Sequence, residues 1–259
     1  MTKTIIAIGG GEIGRIKVYD DGHQEQKPIE TMVIDKKIIE LTGKTHPTMV
    51  FIGAASDDNP AYLTAVKNHF EDRLGVKVIN LNLTEKPNID KIQETVNQAD
   101  IIYIGGGNVT KLMETLNNTG ADKILLDAYN HGIIMSGNSA GGCVWFESYD
   151  NDEDEDFDGT FDTLKTKPAL GWAKGFFMPH WNKMPETGIN KESVSKDIIR
   201  KLLAKESKYG YGVDEGTAIM VQTDDKGQQI TTEIISKPDA KIYKLLDTQQ
   251  QYINMEKTK

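Results

Sequence analysis

The sequence predicts an α/β fold: a mostly parallel sheet flanked by helices, with a β-rich C-terminal end. Through the first half of the chain, short β-branched runs alternate with longer amphipathic stretches, which is typical of βα units around a parallel sheet. Towards the C-terminus, apolar runs follow one another with only short turns between them. The 259 residues suffice for one large α/β domain, so we expect residues 1–259 to form a single domain.

The first half of the chain contains the predicted strands and helices of the sheet. The strands are the β-branched runs Thr4–Ile8, Thr48–Ile52, Val76–Leu81, Ile101–Ile104 and Ile133–Ser136. The helices are the amphipathic stretches near Ile29–Leu41, Ala61–Leu74, Ile89–Asn97, Asn108–Leu116 and Ala121–Tyr129. No internal repeat or low-complexity linker divides these elements, which favours one continuous domain.

The pattern changes after Gly142. The stretch Cys143–Tyr149 has a composition that fits a helix, and an acidic loop at Asp150–Asp162 follows it. The later predicted elements are a short apolar run at Phe176–Met178, a helix near Lys191–Lys205, and strands at Tyr211–Val213, Ala218–Thr223, Gln229–Ile235 and Lys241–Lys244. A hairpin turn at Asp224–Gly227 joins two of these strands.

Composition limits the classes of partner. A net charge of −9 and a pI of about 5.1, without a Lys/Arg cluster, argue against nucleic acid or an anionic membrane as partner. We therefore expect small molecules or peptides to bind, and a monomer or homodimer. The single cysteine, Cys143, fits a reducing compartment, and no apolar run has the length of a signal peptide or a membrane span. These features predict a soluble, cytoplasmic protein.

The nucleophile candidate lies in the stretch Gly137–Gly142. It contains a G-x-S-x-G pattern between a predicted strand and a predicted helix, which is typical of a nucleophile elbow. Small flanking residues allow a turn sharp enough to expose Ser139. The helix that begins there would direct the Ala140 amide towards a developing oxyanion. The alternative is an ordinary glycine-rich turn.

Two further glycine-rich turns follow predicted strands. Gly9–Gly14 satisfies G-x-G-x-x-G, but the polar stretch Arg15–Lys27 delays the next helix, so a tight turn is favoured over a dinucleotide site and we expect no cofactor. After the fourth strand, Asn108 can cap the next helix. Gly106 and Gly107 precede it and are candidates for a second oxyanion donor, with a structural turn as the alternative.

A serine nucleophile needs a base and an acid that orients it. Of the five histidines, His180 alone follows a short apolar run that ends in a rigid position, although a buried structural histidine is the alternative. Glu215 and Asp214 follow another predicted strand. We take Glu215 as the first candidate for the acid and Asp214 as the second, against the alternative of a turn with solvated carboxylates.

These segments together resemble the peptidase E family of serine peptidases, to which cyanophycinases are related. The resemblance rests on the order and spacing of Ile6–Gly11, Ile104–Asn108, Gly137–Gly141, Pro179–His180 and Gly212–Ala218. It implies a three-layer fold similar to that of class I glutamine amidotransferases, with serine in place of their cysteine. The chain order nucleophile, histidine, acid is also that of this family, whereas α/β-hydrolases run serine, acid, histidine.

The resemblance implies a role for each matching residue. Ser139 would be the nucleophile, His180 the base and Glu215 the acid, with Gly107 and Ala140 donating to the oxyanion. The implied activity is a serine peptidase acting on small peptides, including dipeptides with an amino-terminal Asp. The alternatives are a cyanophycinase-like hydrolase of β-aspartyl bonds and a noncatalytic small-molecule binding protein on the same fold.

The chain departs from the family pattern at one position. Some members are assigned an Asp between the serine and the histidine as the third residue, and Pro168 stands in that region here. This departure favours Glu215 as the acid and weakens a direct transfer of substrate preference. An acidic acyl group would need a cation in its pocket, for which Arg15, Lys174 and Lys183 are candidates, each with a solvated surface charge as the alternative.

The acidic loop contains the front half of a calcium-binding pattern. Carboxylates stand at positions 1, 3, 5 and 9 of the stretch that starts at Asp154, but Lys165 replaces the bidentate Glu at position 12. The loss of two oxygen ligands favours a solvated loop without metal. A weak site at Asp154, Asp156 and Asp158 is the alternative.

Overall fold

The chain forms a seven-stranded central sheet, a six-stranded second sheet and a two-stranded hairpin. The computed structural model describes residues 2–151, 165–182, 209–246 and 253–254. The strands are β1 (Lys3–Ile8), β2 (Ile16–Val18), β3 (Gln24–Gln26), β4 (Thr48–Ile52), β5 (Lys77–Asn80), β6 (Ile101–Ile104), β7 (Ile134–Asn138), β8 (Ser148–Asn151), β9 (Lys165–Pro168), β10 (Phe176–Met178), β11 (Tyr209–Val213), β12 (Thr217–Thr223), β13 (Gln229–Ile235), β14 (Ile242–Leu246) and β15 (Ile253–Asn254). The helices are α1 (Met32–Leu41), α2 (Pro60–Lys67), α3 (Ile89–Val96), α4 (Val109–Thr119), α5 (Ala121–Asn130) and α6 (Ala140–Cys143).

The central sheet has the strand order β13-β12-β1-β7-β6-β4-β5. The five strands β1, β7, β6, β4 and β5 are parallel, whereas β12 and β13 add antiparallel at one edge. Because parallel strands end at one edge of a sheet, the glycine-rich turns after β1, β6 and β7 lie side by side. Ligands of open α/β sheets bind at this edge.

Helices cover both faces of the central sheet. Alternate side chains of β1 point to opposite faces: Ile5 and Ala7 pack with α3, α4 and α5, while Ile6 and Ile8 pack with α1 and α2. Burial of each large aliphatic side chain stabilises the fold by roughly 1.5–3 kcal/mol. The predicted α/β fold, with a mostly parallel sheet between layers of helices, is confirmed.

The second sheet has the order β15-β14-β11-β10-β8-β9, with β10 parallel to both β8 and β11. Phe177 and Tyr211 of this sheet belong to the same apolar cluster as Ile5 of β1. The carboxyl ends of β10 and β11 therefore meet the carboxyl end of β1. Two backbone bonds fix this meeting, from the His180 N–H to the Gly9 carbonyl at 2.7 Å and from the Gly216 N–H to the Gly10 carbonyl at 3.0 Å.

The predicted helix at Cys143–Tyr149 is wrong beyond its first residue. The α6 helix ends at Cys143, and the chain continues in a non-helical path to β8. The carbonyls of Val144, Trp145 and Phe146 accept hydrogen bonds from residues 170–173 instead of from the next helical turn. All three side chains are buried, so tertiary contacts override the local helical preference.

The polar stretch Arg15–Lys27 forms the β2–β3 hairpin, which the sequence analysis did not predict. Its turn is Asp20–Gly22. Ile16 and Val18 stay 56% and 62% exposed, so the hairpin lacks the alternation of buried apolar residues that marks a strand in a sequence.

Two predicted helices have different boundaries. The first begins at Met32 instead of Ile29, because Ile29 forms a bridge with Ile13. The second comprises α2 and a π-helical segment at Asn68–Arg73. The helix predicted near Lys191–Lys205 lies outside the described residues.

A buried polar cluster joins α1 to the π-helical segment. Asp35 and His69 are fully buried, and Asp35 Oδ2 accepts hydrogen bonds from Thr31 Oγ1 at 2.6 Å and from His69 Nε2 at 2.8 Å. Arg73 Nη1 lies 2.9 Å from His69 Nδ1 and donates to it, which leaves the ring hydrogen on Nε2 for Asp35. This histidine is therefore satisfied within the core.

We expect His69→Leu to lower the free energy of unfolding by about 3 kcal/mol, because it leaves the Asp35 carboxylate buried with one donor fewer. Urea denaturation would measure the change. The control is His131→Leu, because the His131 side chain is 73% exposed. Equal stability of the two variants would contradict the assigned role of the buried cluster.

Candidate active site

The turn between β7 and α6 places Ser139 at the carboxyl edge of the central sheet. Ser139 adopts φ 53° and ψ −114°, which a side-chain-bearing residue rarely takes. The Ser139 N–H donates to the Ile8 carbonyl at 2.9 Å, which holds the turn against β1. A Cβ at Gly137 would overlap the Gly141 carbonyl, and one at Gly141 would overlap the Ile104 carbonyl. Glycine is therefore required on both sides of the serine.

Ser139, His180 and Glu215 form a continuous hydrogen-bonded chain. Ser139 Oγ lies 2.8 Å from His180 Nε2, and His180 Nδ1 lies 2.8 Å from Glu215 Oε1. The Glu215 side chain is 6% exposed, while that of His180 is 41% exposed. Because an ionised carboxylate only accepts hydrogen bonds, Nδ1–H donates to Glu215 and Nε2 is left to accept the serine proton.

The imidazole ring of His180 packs directly against the backbone of Gly10. The His180 backbone has φ 53°, and a Cβ at Gly10 would lie 2.5 Å from the His180 Cε1 atom. The absence of a side chain at Gly10 thus makes room for the imidazole beside Glu215.

The second candidate acid, Asp214, faces a different part of the chain. Its Oδ2 atom accepts the Lys241 N–H at 2.9 Å, and its carbonyl accepts the Thr217 hydroxyl at 2.6 Å. These two bonds of Asp214 hold the β11–β12 connection against the start of β14. Asp214 begins the turn in which the Thr217 N–H donates to its carbonyl at 3.2 Å, so the carboxylates of Asp214 and Glu215 have different partners, the Lys241 N–H and His180 Nδ1.

The candidate oxyanion donors lie in the turn after β6 and at the start of α6. Gly107 has φ +143°, which only glycine adopts without strain, and it lines the same cleft as Ser139. Within the described residues, the N–H groups of Gly107 and Ala140 donate to no protein acceptor. The third candidate, Gly106, donates its N–H to the Tyr62 hydroxyl at 3.1 Å.

A cleft of about 870 Å³ opens over Ser139, His180 and Glu215. The β2–β3 hairpin and α2 form its walls. Of the three candidate cations, Arg15 lines this cleft, whereas Lys174 precedes β10 and so lies at the opposite end of that strand from His180. Lys183 lies outside the described residues.

Arg15 is paired inside the cleft. Its Nε and Nη2 atoms donate to the Glu12 carboxylate at 2.8–3.1 Å, and these bonds raise the pKa of Arg15. Its Nη1 group makes no hydrogen bond to another residue in the ranges described, so it can contact a ligand.

A second ion pair, Glu30 with Lys237, has its carboxylate in the cleft lining. Glu30 accepts the Lys237 ammonium at 2.7 Å and the Glu12 N–H at 3.1 Å. Burial raises the pKa of the Glu30 carboxyl, but these two donors outweigh burial and lower it. Glu30 is therefore anionic at neutral pH.

Tyr62, Glu30 and Lys237 are cleft or neighbouring residues that the sequence analysis missed. Each lies inside an ordinary polar or amphipathic stretch, so no local signal marks it. Burial raises the pKa of the Tyr62 hydroxyl, which stays protonated beside Gly106.

The calcium candidates Asp154, Asp156 and Asp158 lie outside the described residues. Within those residues, no group of three or more His, Cys, Asp or Glu side chains is arranged to hold a metal ion. None of the helices in the same ranges is both long and apolar enough to traverse a bilayer.

Comparison with known proteins identifies the family. The family model described as peptidase family S51 matches residues 21–230. The chain belongs to peptidase family S51. The prediction that it is a peptidase is confirmed, which favours an enzyme over a noncatalytic binding protein.

Individual relatives agree with the S51 assignment. The Bacillus subtilis peptidase YgaJ is 28% identical over 94% of this chain and 92% of its own length. Peptidase E of Haemophilus influenzae is 26% identical over 71% of this chain and 80% of its own length. The predicted membership of the peptidase E family is therefore confirmed.

Two solved structures share the fold. A peptidase from an acI-B1 actinobacterium has a TM-score of 0.68 at 19% identity, with 97% of this chain and 93% of that chain covered. A peptidase E candidate from Listeria monocytogenes has a TM-score of 0.60 at 20% identity, with 90% of this chain and all of that chain (100%) covered.

We expect Gly137→Ala to destabilise this S51 peptidase by about 3 kcal/mol, because the new Cβ overlaps backbone that cannot move independently. Gly227→Ala is the control, since Gly227 has open space around it and only a positive φ. The Gly227→Ala variant should lose about 1 kcal/mol of its free energy of unfolding. Urea denaturation of both variants distinguishes overlap from backbone strain, and equal losses would rule out the overlap.

Proposed function

We propose that this S51 peptidase hydrolyses small peptides through an acyl-enzyme intermediate, with Ser139 as nucleophile, His180 as base and Glu215 as acid. The observation that carries this proposal is the continuous pair of 2.8 Å contacts from Ser139 Oγ through the imidazole to Glu215, open to the cleft. Each residue has the partner that its role requires.

The first half of the reaction forms the acyl-enzyme. His180 Nε2 takes the Ser139 proton while Oγ forms a bond to the carbonyl carbon of the substrate. The C–N bond then breaks, and His180 gives its proton to the leaving amine. In the second half, water loses a proton to His180 and attacks the ester, which restores the Ser139 hydroxyl and releases the acid.

Glu215 and the backbone donors support these steps. A carboxylate at Nδ1 fixes the imidazole tautomer and stabilises the imidazolium that forms. The Gly107 and Ala140 N–H groups would bind the oxyanion. One such donor is worth about 2.7–4 kcal/mol in a well-studied protease.

For the substrate, we propose peptides with an amino-terminal acidic residue. The cleft volume of about 870 Å³ suits a small ligand. Arg15 is the candidate cation that lines it, and its Nη1 group is directed away from Glu12. In a β-aspartyl peptide the side-chain carbonyl forms the amide and the α-carboxylate is free, which reverses the arrangement in a peptide with amino-terminal Asp. Peptides with β-aspartyl bonds are therefore the second substrate class.

The first test is hydrolysis of a panel of di- and tripeptides with amino-terminal Asp, β-aspartyl or neutral residues. We expect the wild type to cleave acidic members and Ser139→Ala to cleave none, because the variant lacks the attacking oxygen. Liberated amines would be quantified by mass spectrometry. Cleavage by Ser139→Ala at the wild-type rate would exclude the serine mechanism, and a faster rate on β-aspartyl peptides would favour the second substrate class.

The adjacent carboxylates provide a matched test of the acid. Glu215→Gln should lower kcat by about 10²–10⁴-fold, because an amide no longer fixes the required tautomer. Asp214→Asn should change kcat by less than about threefold, because the Asp214 carboxylate accepts a backbone N–H, that of Lys241, whereas Glu215 accepts from His180. The opposite ranking of kcat would assign the acid to Asp214.

A further inference from the structure

The turn Gly105–Gly107 contains a candidate oxyanion donor, the Gly107 N–H. Its three successive glycines place few limits on the backbone angles. We propose that Ser56 is a positioning residue that holds the Gly106–Gly107 peptide group and so keeps the Gly107 N–H directed to the oxyanion. The proposal rests on the proposed function, since it concerns a donor that acts in acyl transfer.

The decisive contact is between Ser56 and the carbonyl of the same peptide group. Ser56 Oγ–H donates to the Gly106 carbonyl oxygen. In a planar trans peptide, the C=O and the following N–H point in opposite directions. The bond at Gly106 therefore directs the Gly107 N–H away from Ser56. Gly106 itself lies against the nucleophile, since a Cβ there would be 3.4 Å from Ser139 Cβ.

Each neighbouring peptide group has a different anchor. The group before is held by the Gly106 N–H, which donates to the Tyr62 hydroxyl at 3.1 Å. The group after is held by the Asn108 N–H, which donates to the Ala55 carbonyl at 2.8 Å. Among the hydrogen bonds of the described residues, the middle group is held by Ser56 alone.

The middle group needs such a restraint because both of its flanking residues are glycine. Rotation of a peptide plane changes ψ of the first residue and φ of the second, and glycine accepts most values of either. A flipped plane would turn the Gly106 carbonyl towards Ser139 and remove the Gly107 N–H from the cleft. Gly107 already has φ +143°, so its conformation depends on outside contacts.

Ser56 is itself fixed. It ends the single 3₁₀ turn Ala54–Ser56, its N–H donates to the Gly53 carbonyl at 2.8 Å, and its carbonyl accepts the Asn59 N–H at 3.1 Å. The Ser56 hydroxyl thus projects from a rigid turn and restrains the Gly105–Gly107 turn, which contains the candidate oxyanion donor. Because Ser56 lines the cleft, water can satisfy the Gly106 carbonyl in a variant, so the fold should be retained. A water molecule is not attached to the Ala54–Ser56 turn, however, so it does not restrain the peptide plane as the hydroxyl does.

The test uses a fluorophosphonate, which reports on the oxyanion site without a known substrate. Ser139 Oγ forms a bond to phosphorus, the P–F bond breaks, fluoride leaves, His180 takes the serine proton, and the phosphoryl oxygen occupies the oxyanion position. We expect Ser56→Ala to lower the maximal rate of phosphonylation and kcat on the best-cleaved peptide by 10-fold to 100-fold. The half-saturating probe concentration and KM should stay within twofold, because the lost interaction belongs to the transition state.

Three matched variants complete the experiment. Thr115→Val removes a hydroxyl outside the cleft, which bonds to the Lys111 carbonyl of its own helix at 2.8 Å, and should leave both rates unchanged. Ser56→Thr keeps the donor and should retain most of the rate. Ser56→Cys keeps the volume with a weaker donor, should give an intermediate rate, and replaces Ser56→Ala if that variant fails to fold.

The outcomes separate this proposal from the function on which it rests. Wild-type rates in Ser56→Ala, or in Ser56→Cys if it serves as the substitute, would overturn the positioning role. The positioning role would also be overturned if Ser56→Ala raised KM and the half-saturating probe concentration while the maximal rates stayed at the wild-type level. Failure of the wild type to react at Ser139, with no difference from Ser139→Ala, would overturn the proposed function itself.

Discussion

Close backbone packing at the carboxyl ends of β4, β6 and β7 is the constraint on which the site depends. Gly137, Gly141 and Gly107 each lie where a Cβ would overlap a neighbouring carbonyl. The absence of side chains brings three strand ends close enough for one turn to expose Ser139 and another to lie beside it. Since an unusual backbone conformation at a serine costs of order 1–3 kcal/mol, the surrounding contacts must hold it in place.

The second sheet completes the site because it is joined to the first through backbone. The His180 N–H bonds to the Gly9 carbonyl, so the imidazole is held relative to β1 and not only to its own strand. Glu215 follows β11, which is paired with β10 in a parallel register. His180 and Glu215 therefore share one rigid framework with Ser139, and small shifts between the sheets are opposed by a common apolar cluster.

The cleft combines this framework with alternating charges. Glu12 pairs with Arg15, and Glu30 pairs with Lys237, so these two cations each have an anion beside them. A ligand carboxylate would therefore compete with or extend an existing pair. The α2 side of the cleft carries uncharged side chains, with the protonated Tyr62 beside the Gly105–Gly107 turn.

The sequence by itself determined the alternation of strands and helices, because period-two and helical patterns record local burial, and it proposed Ser139, His180 and Glu215 from their places at strand ends. Only the tertiary structure decided the non-helical path after Cys143, where carbonyls bond to a distant segment, and the polar hairpin Arg15–Lys27, which has no buried face. The tertiary structure also decided which residues line the cleft, since these residues are far apart in the sequence. No sequence pattern marks such contacts, because they depend on which elements meet in space.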